Sequence, residues 1–132
     1  MKHIAKNLLL ILPLLIFFRC STEPEKHVEN YLLKVDSLQH AEKVRLNGTI
    51  KITVFGLAGV DGCHSFSHFE GLTTPSSLDL KVWGKVAPSQ ACPDVIVPFR
   101  EEINTIAGQR GIYGISIHQP DGSVLRDSII IL

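Results

Sequence analysis

Leu78-Asp79-Leu80-Lys81-Val82-Trp83-Gly84-Lys85-Val86 is the stretch whose reading decides the fold. Leu78, Leu80, Val82 and Val86 fall on one side of an extended chain and Asp79, Lys81, Trp83 and Lys85 on the other, which is the two-residue period of a strand with one buried face. On the N-terminal side, Ile50, Ile52 and Val54 alternate with Thr49, Lys51 and Thr53 in the same way, after a turn signal at Asn47-Gly48. Residues 56–62 read as a Gly-containing loop. Residues 63–70, rich in Ser, Phe and His and bounded by Gly71, read as a strand with aromatic side chains on both faces.

On the C-terminal side, residues 88–93 read as loop and Val95-Ile96-Val97 as a short apolar strand ended by Pro98; residues 101–107 are too short and mixed to assign. Gly111-Ile112-Tyr113-Gly114-Ile115-Ser116-Ile117 alternates again. Pro120-Asp121-Gly122 then predicts a tight turn into residues 124–132, and so a C-terminal hairpin. Residues 28–39 stay open between a short helix, from Val28, Tyr31, Leu32 and Val35, and an extended strand over 33–38. Six to seven short strands with turn signals between them predict an all-β fold, an antiparallel immunoglobulin-like β-sandwich.

The first twenty residues carry a different signal. Lys2 and Lys6 precede an apolar run over 8–18 that only Pro13 interrupts, the pattern of an export signal. Eleven helical residues span about 16 Å, roughly half the hydrocarbon core, so the run is too short for a stable transmembrane helix. It stops at Arg19-Cys20-Ser21-Thr22-Glu23-Pro24, where the chain turns polar. In placing a cysteine directly after the apolar run it resembles bacterial lipoproteins, although Phe17-Phe18-Arg19 departs from the small residues usual before that cysteine. An uncleaved N-terminal anchor with Cys20 as an incidental thiol, or a core helix, are the other readings. The domain expectation is a signal peptide over 1–19, a lipid-anchored tether and lead-in segment over 20–46, and the sandwich over 47–132.

With Cys20 assigned to lipid, the other two of the three cysteines, Cys63 and Cys92, are left as a pair, and export places them where disulfides persist. Two reduced, buried thiols are the alternative. The segment 48–132, through Val60-Asp61-Gly62-Cys63-His64-Ser65-Phe66, Ala91-Cys92-Pro93 and Gly111-Ile112-Tyr113, resembles small exported lipoproteins with one immunoglobulin-like domain. That resemblance implies a fold and a compartment but no activity. Tyr113 reads either as a tyrosine corner or as a half-buried residue.

The 132 residues are 45% hydrophobic, the size and content of one domain with a core. The 13 basic and 13 acidic residues become 10 and 13 once the first 19 are removed, and a mildly acidic surface of this kind gives no basic field for nucleic acid. His64, His68, Glu70 and Cys63 resemble a metal cluster by type. On a strand, however, positions four apart lie roughly 13 Å from each other, too far to share one ion, so no metal or other cofactor is expected. No nucleophile elbow, zinc-protease motif or phosphate loop occurs.

Trp83 is the residue the fold leaves over. Alternation commits Leu78, Leu80 and Val82 to the core and turns Trp83 outward between Lys81 and Lys85, while Phe55 falls on the face of Lys51 and Thr53. Trp83, Lys81, Lys85 and Phe55 are therefore the candidate binding residues, and an indole flanked by cations suits a sugar ring or a protein anchor. A covering by the segment before Asn47 is the bland alternative. The expected function is a non-enzymatic binding, adhesion or structural module, held to the bacterial envelope, the outer membrane in particular, by lipid on Cys20. Its expected partners are the membrane and a glycan or envelope protein. The competing expectation is an envelope enzyme or peptidase inhibitor with an unrecognised functional loop.

Overall fold

The computed structural model describes residues 27–87 and 91–132. Nine strands follow in order: β1 (Glu29–Leu32), β2 (Val35–His40), β3 (Lys43–Val44), β4 (Thr49–Gly59), β5 (His64–Thr74), β6 (Ser77–Val86), β7 (Val97–Ile106), β8 (Gly111–His118) and β9 (Val124–Ile131). They form a β-sandwich. One sheet runs β1-β6-β8-β9-β3 with β5 on the free side of β6, and the other runs β2-β4-β7. Among the described residues no helix is long and apolar enough to cross a membrane.

The alternation of β6 holds residue by residue. Leu78, Leu80 and Val82 are buried against Tyr113, Ile115 and Ile117 of β8, Ile129 and Ile131 of β9, and Ile50, Ile52 and Val54 of β4 across the sandwich. Each such side chain contributes about 1.5–3 kcal/mol by leaving water. The C-terminal hairpin forms as expected. Gln119 N donates to Ser123 O, Gly122 takes a φ of 83°, and Asp121 Oδ1 accepts from Ser123 N at 2.9 Å and from Ser123 Oγ at 2.6 Å. Asn47, with a φ of 62°, makes the expected turn before β4.

Several expectations are corrected. Nine strands stand where six to seven were expected, because pairing begins at Glu29 within the segment assigned as tether. Of the two readings left open for residues 28–39, the extended one holds, as two strands rather than one. β1 pairs with β6 in the larger sheet and β2 with β4 in the smaller, so the chain changes sheets at Leu33-Lys34. The arrangement is mostly antiparallel, but β6–β8 and β3–β9 run parallel. Pro98 does not end a strand and Val95-Ile96 do not form one: β7 starts at Val97, passes through Pro98 and takes in residues 101–106. As an edge strand bonded only to β4, it tolerates a residue with no N–H.

Two glycines taken as loop markers lie inside strands. A Cβ at Gly56 would stand 2.3 Å from Lys34 O and 2.6 Å from the Phe99 ring, and one at Gly71 would stand 2.2 Å from Asp79 O. Both serve close approach of neighbouring strands rather than a turn.

Two buried polar side chains differ in kind. Gln119, 7% exposed, takes the place of a strand neighbour for Val35: Val35 N donates to its Oε1 at 3.0 Å and its Nε2 donates to Val35 O at 3.2 Å. This links the loop after β8 to the start of β2, and so one sheet to the other. Tyr113 is wholly buried rather than half-buried, and its hydroxyl has no hydrogen-bond partner among the described residues, so no tyrosine-corner bond forms there. Removing a partner from a buried group costs about 1–3 kcal/mol per group left unmade, whereas removing an unpartnered hydroxyl restores nothing to be lost. Gln119→Ala is therefore expected to lower stability by about 2–4 kcal/mol and Tyr113→Phe to leave it unchanged or raise it. Chemical denaturation of the two variants checks the contrast, and equal losses would contradict it.

Candidate binding face

The outward face of the larger sheet is set by an irregularity in β5. Phe66 pairs with Gly84 and His68 with Trp83, so Ser67 is an extra residue between consecutive pairs, a β-bulge. Strict alternation would put Phe66 and His68 on one face. The bulge instead returns Phe66 and Phe69 together to the core side, their ring centroids 5.0 Å apart. It turns His68 and Glu70 outward beside Trp83 and Lys81. The expectation of aromatic residues on both faces of this strand is corrected accordingly: both phenylalanines are inside.

Trp83 is half-buried, neither lost in the core nor standing free. The His68 imidazole lies nearly parallel to the indole, with centroids 6.2 Å apart and an angle of 13° between the ring planes. Trp83 Nε1 donates to Glu70 Oε2 at 2.6 Å, and Lys81 Nζ is 3.9 Å from Glu70 Oε1. Ser67 Oγ lies 3.0 Å from His68 Nδ1 and donates to Asn30 Oδ1 at 3.4 Å, which adds β1 to the same surface. One row further, His118 Nε2 is 2.9 Å from Asp79 Oδ1. The result is an indole with an imidazole nearly parallel to it, held by a carboxylate and bordered by hydroxyl, amide and ammonium groups.

Of the residues expected to form one binding face, Trp83, Lys81 and Lys85 share the outer side of β6. Phe55 does not join them. It lies on the outer side of the smaller sheet, across the thickness of the sandwich, with the Arg100 guanidinium 5.8 Å from its ring centroid. A hollow of about 410 Å³ opens on that flank beside Gln39, His40, Thr53 and Lys51. Its cations are already engaged, Lys51 with Glu102 at 2.6 Å and Arg100 over Phe55. His68 and Glu70 were missed as members of the Trp83 face because two-residue alternation, with no signal for a bulge at Ser67, sends them elsewhere.

Cys63 and Cys92 are bonded, with Cα atoms 5.3 Å apart and a separation of 29 in sequence. Closing a loop of this length stabilises the fold by roughly 3–4 kcal/mol on a chain-entropy basis. Asp61 Oδ1 lies in the same turn and accepts from Cys63 N at 3.0 Å and from His64 Nδ1 at 2.7 Å. Asp61 approaches both sulfurs, but sulfurs joined to each other offer no thiolate to a metal. His64 and His68 face different partners, the carboxylate of Asp61 and the ring of Trp83. Tyr31 packs edge-on to His64 and its hydroxyl donates to Ala58 O, joining β1 to β4.

Burial, and then the negative charge of Asp61, raise the Tyr31 hydroxyl above its ordinary pKa. The Cys63 amide, and then His64, hold the Asp61 carboxyl below its own. Cys20 and the segment expected to be a signal peptide, residues 1–19, lie outside the described residues. Comparison with protein-family models, curated proteins and solved structures gives no match.

A carboxyl whose pKa is depressed by folding stabilises the fold at neutral pH, and that contribution is lost as pH falls through the ordinary aspartate range and below it. Asp61→Asn keeps an acceptor for Cys63 N but removes the titration. Its melting temperature is expected to fall less steeply with acidification than that of the parent chain. Parallel slopes in thermal melts would show that the turn does not carry this linkage.

Proposed function

We propose that this chain is a lipid-anchored protein of the bacterial cell envelope, at the outer membrane, and that it works without catalysis, by binding a glycan through the Trp83 face. The observation that carries the reading is the near-parallel Trp83 and His68 pair bordered by Glu70, Lys81 and Asn30. A sugar ring presents C–H groups on its flat sides and hydroxyls round its rim. Aromatic faces take the first, and carboxylate, amide and ammonium groups take the second. Binding energy collects on a few aromatic anchors set in polar surroundings, and Trp83 is the single tryptophan of the chain. Lipid on Cys20 belongs to the same reading: the sequence over 21–26 is polar and stands between it and the first strand, a spacer that would leave the outer face of β6 free to meet envelope polymers.

Trp83→Ala is expected to cost about 1–2 kcal/mol of stability, less than a core tryptophan, while lowering glycan affinity about tenfold or more. Phe55→Ala, on the other sheet, is expected to leave that affinity unchanged. Calorimetric titration with envelope oligosaccharides after a glycan-array screen reads both, and binding indifferent to Trp83 would reject this face.

For the anchor, mass spectrometry of the chain extracted from membranes is expected to find an N-terminus at Cys20 carrying acyl chains, with Cys20→Ala released from the membrane. A retained Met1 would reject the lipoprotein reading.

A further inference from the structure

One end of the sandwich gathers exposed apolar side chains. Gly59 pairs with Val97, so Val60 and Ile96, the next residues outward, flank the end of the same ladder. Val95 follows Ile96 away from it, and Leu57, opposite Pro98, lies just inside. Their exposures are 70% for Val60, 65% for Ile96, and 50% for Val95 and Leu57. Exposed apolar side chains also stand at the opposite end, Ile106, Ile112 and Leu132 among them, so what singles out this cluster is the point at which the chain arrives.

The same end is where the chain arrives from its N-terminal segment. Glu29 pairs with Val86, Val86 with His64, and Ala87 N donates to Cys63 O beside the disulfide. Gly62 N donates to Pro93 O, which holds the turn carrying Val60 against the segment that leads to Val95 and Ile96. Val28, 45% exposed, precedes Glu29 at this end. From Cys20 to His27 the chain can extend no further than about 25 Å. The ten residues of β6 set the opposite end, with Ile112, about 30 Å from Val86. A tether that short keeps the Val86 end nearest to whatever holds residues 8–20.

From these placements we infer that the end formed by Val28, Leu57, Val60, Val95 and Ile96 rests on the lipid surface, so that the sandwich stands with its disulfide end against the bilayer. The inference builds on the anchored reading of the N-terminus. Contact is apolar in character. Asp61 is turned onto Cys63 N and His64, and the exposed charges nearby, Glu29, Asp94 and Lys85, are of mixed sign, so uncharged phosphatidylcholine suffices as the surface. In this posture the outer face of β6, with Trp83, stands roughly perpendicular to the membrane.

The test uses the full acylated chain in phosphatidylcholine vesicles whose acyl chains are brominated near the glycerol end. Trp83→Phe removes the only indole, and Ile96→Trp or Ile112→Trp supplies one at either end, both sites being exposed enough to accept the ring. The expected result is a blue-shifted Ile96→Trp emission quenched several-fold more strongly by the brominated lipid than that of Ile112→Trp. Equal quenching in a chain that floats with the vesicles overturns the inference, as does stronger quenching at Ile112→Trp. A blue shift at Ile96→Trp without quenching means that a protein or a second copy covers this end, and overturns it too. A chain that fails to float shows instead that the anchored reading is wrong, and the inference falls with it.

Discussion

β6 has three strands bonded to it directly, β5 along its whole length on one side and β1 and β8 sharing the other. That sharing is possible because β8, parallel to β6, pairs only with Ser77–Lys81 and stops short of Trp83, where the pairing of β1 begins. Its inward row of Leu78, Leu80 and Val82 is therefore enclosed from the sides as well as from the facing sheet, and all three are buried almost completely. Because side chains alternate, the same burial fixes what must face out. The core cannot take Leu80 and Val82 without presenting Lys81 and Trp83 on the other side.

The outer face is organised by what β5 does beside that row. A single extra residue at Ser67 shifts the pairing by one, and every side chain after it changes face. Phe69 goes in to meet Phe66, and His68 and Glu70 come out to meet Trp83. Core packing and the outer π surface thus have one cause. Two phenylalanines that seal the edge of the sandwich leave an imidazole and a carboxylate in contact with the indole. A regular strand would have separated them.

The two sheets are joined by connections of different kinds at different places. Gln119 supplies Val35 with the donor and acceptor that a strand neighbour would have given it, where the chain has just left one sheet and begun the other. Tyr31 reaches from β1 to Ala58 of β4, and the disulfide closes the turn beside it. These are concentrated towards the end where the chain comes in, while the opposite end is closed by turns such as Asn47-Gly48. The covalent link and the hydroxyl contact of Tyr31 both lie at the first of these ends.

Local periodicity determined much of this protein from the sequence alone. The alternation over 78–86, 49–54 and 111–117 and the turn at Pro120-Asp121-Gly122 each depend on neighbours along the chain, and all four stand in the fold as read. The pairing of Cys63 with Cys92 followed from their number and from the expectation of export. What the sequence did not disclose is non-local. Gly56 and Gly71 read as breaks because the close approach of Lys34 and Asp79 that requires them comes from other strands. Pro98 read as an end because nothing in its neighbours says that β7 lies at an edge. Residues 28–39 stayed open between a helix and a strand, and β3 went unread, because strands of four, six and two residues carry too little pattern to be seen before their partners are known. The Trp83 face divides the same way. Its tryptophan and lysines follow from alternation on β6, whereas His68 and Glu70 joined it, and Phe55 left it, through a bulge and a division into two sheets that only the tertiary pairing of strands decides.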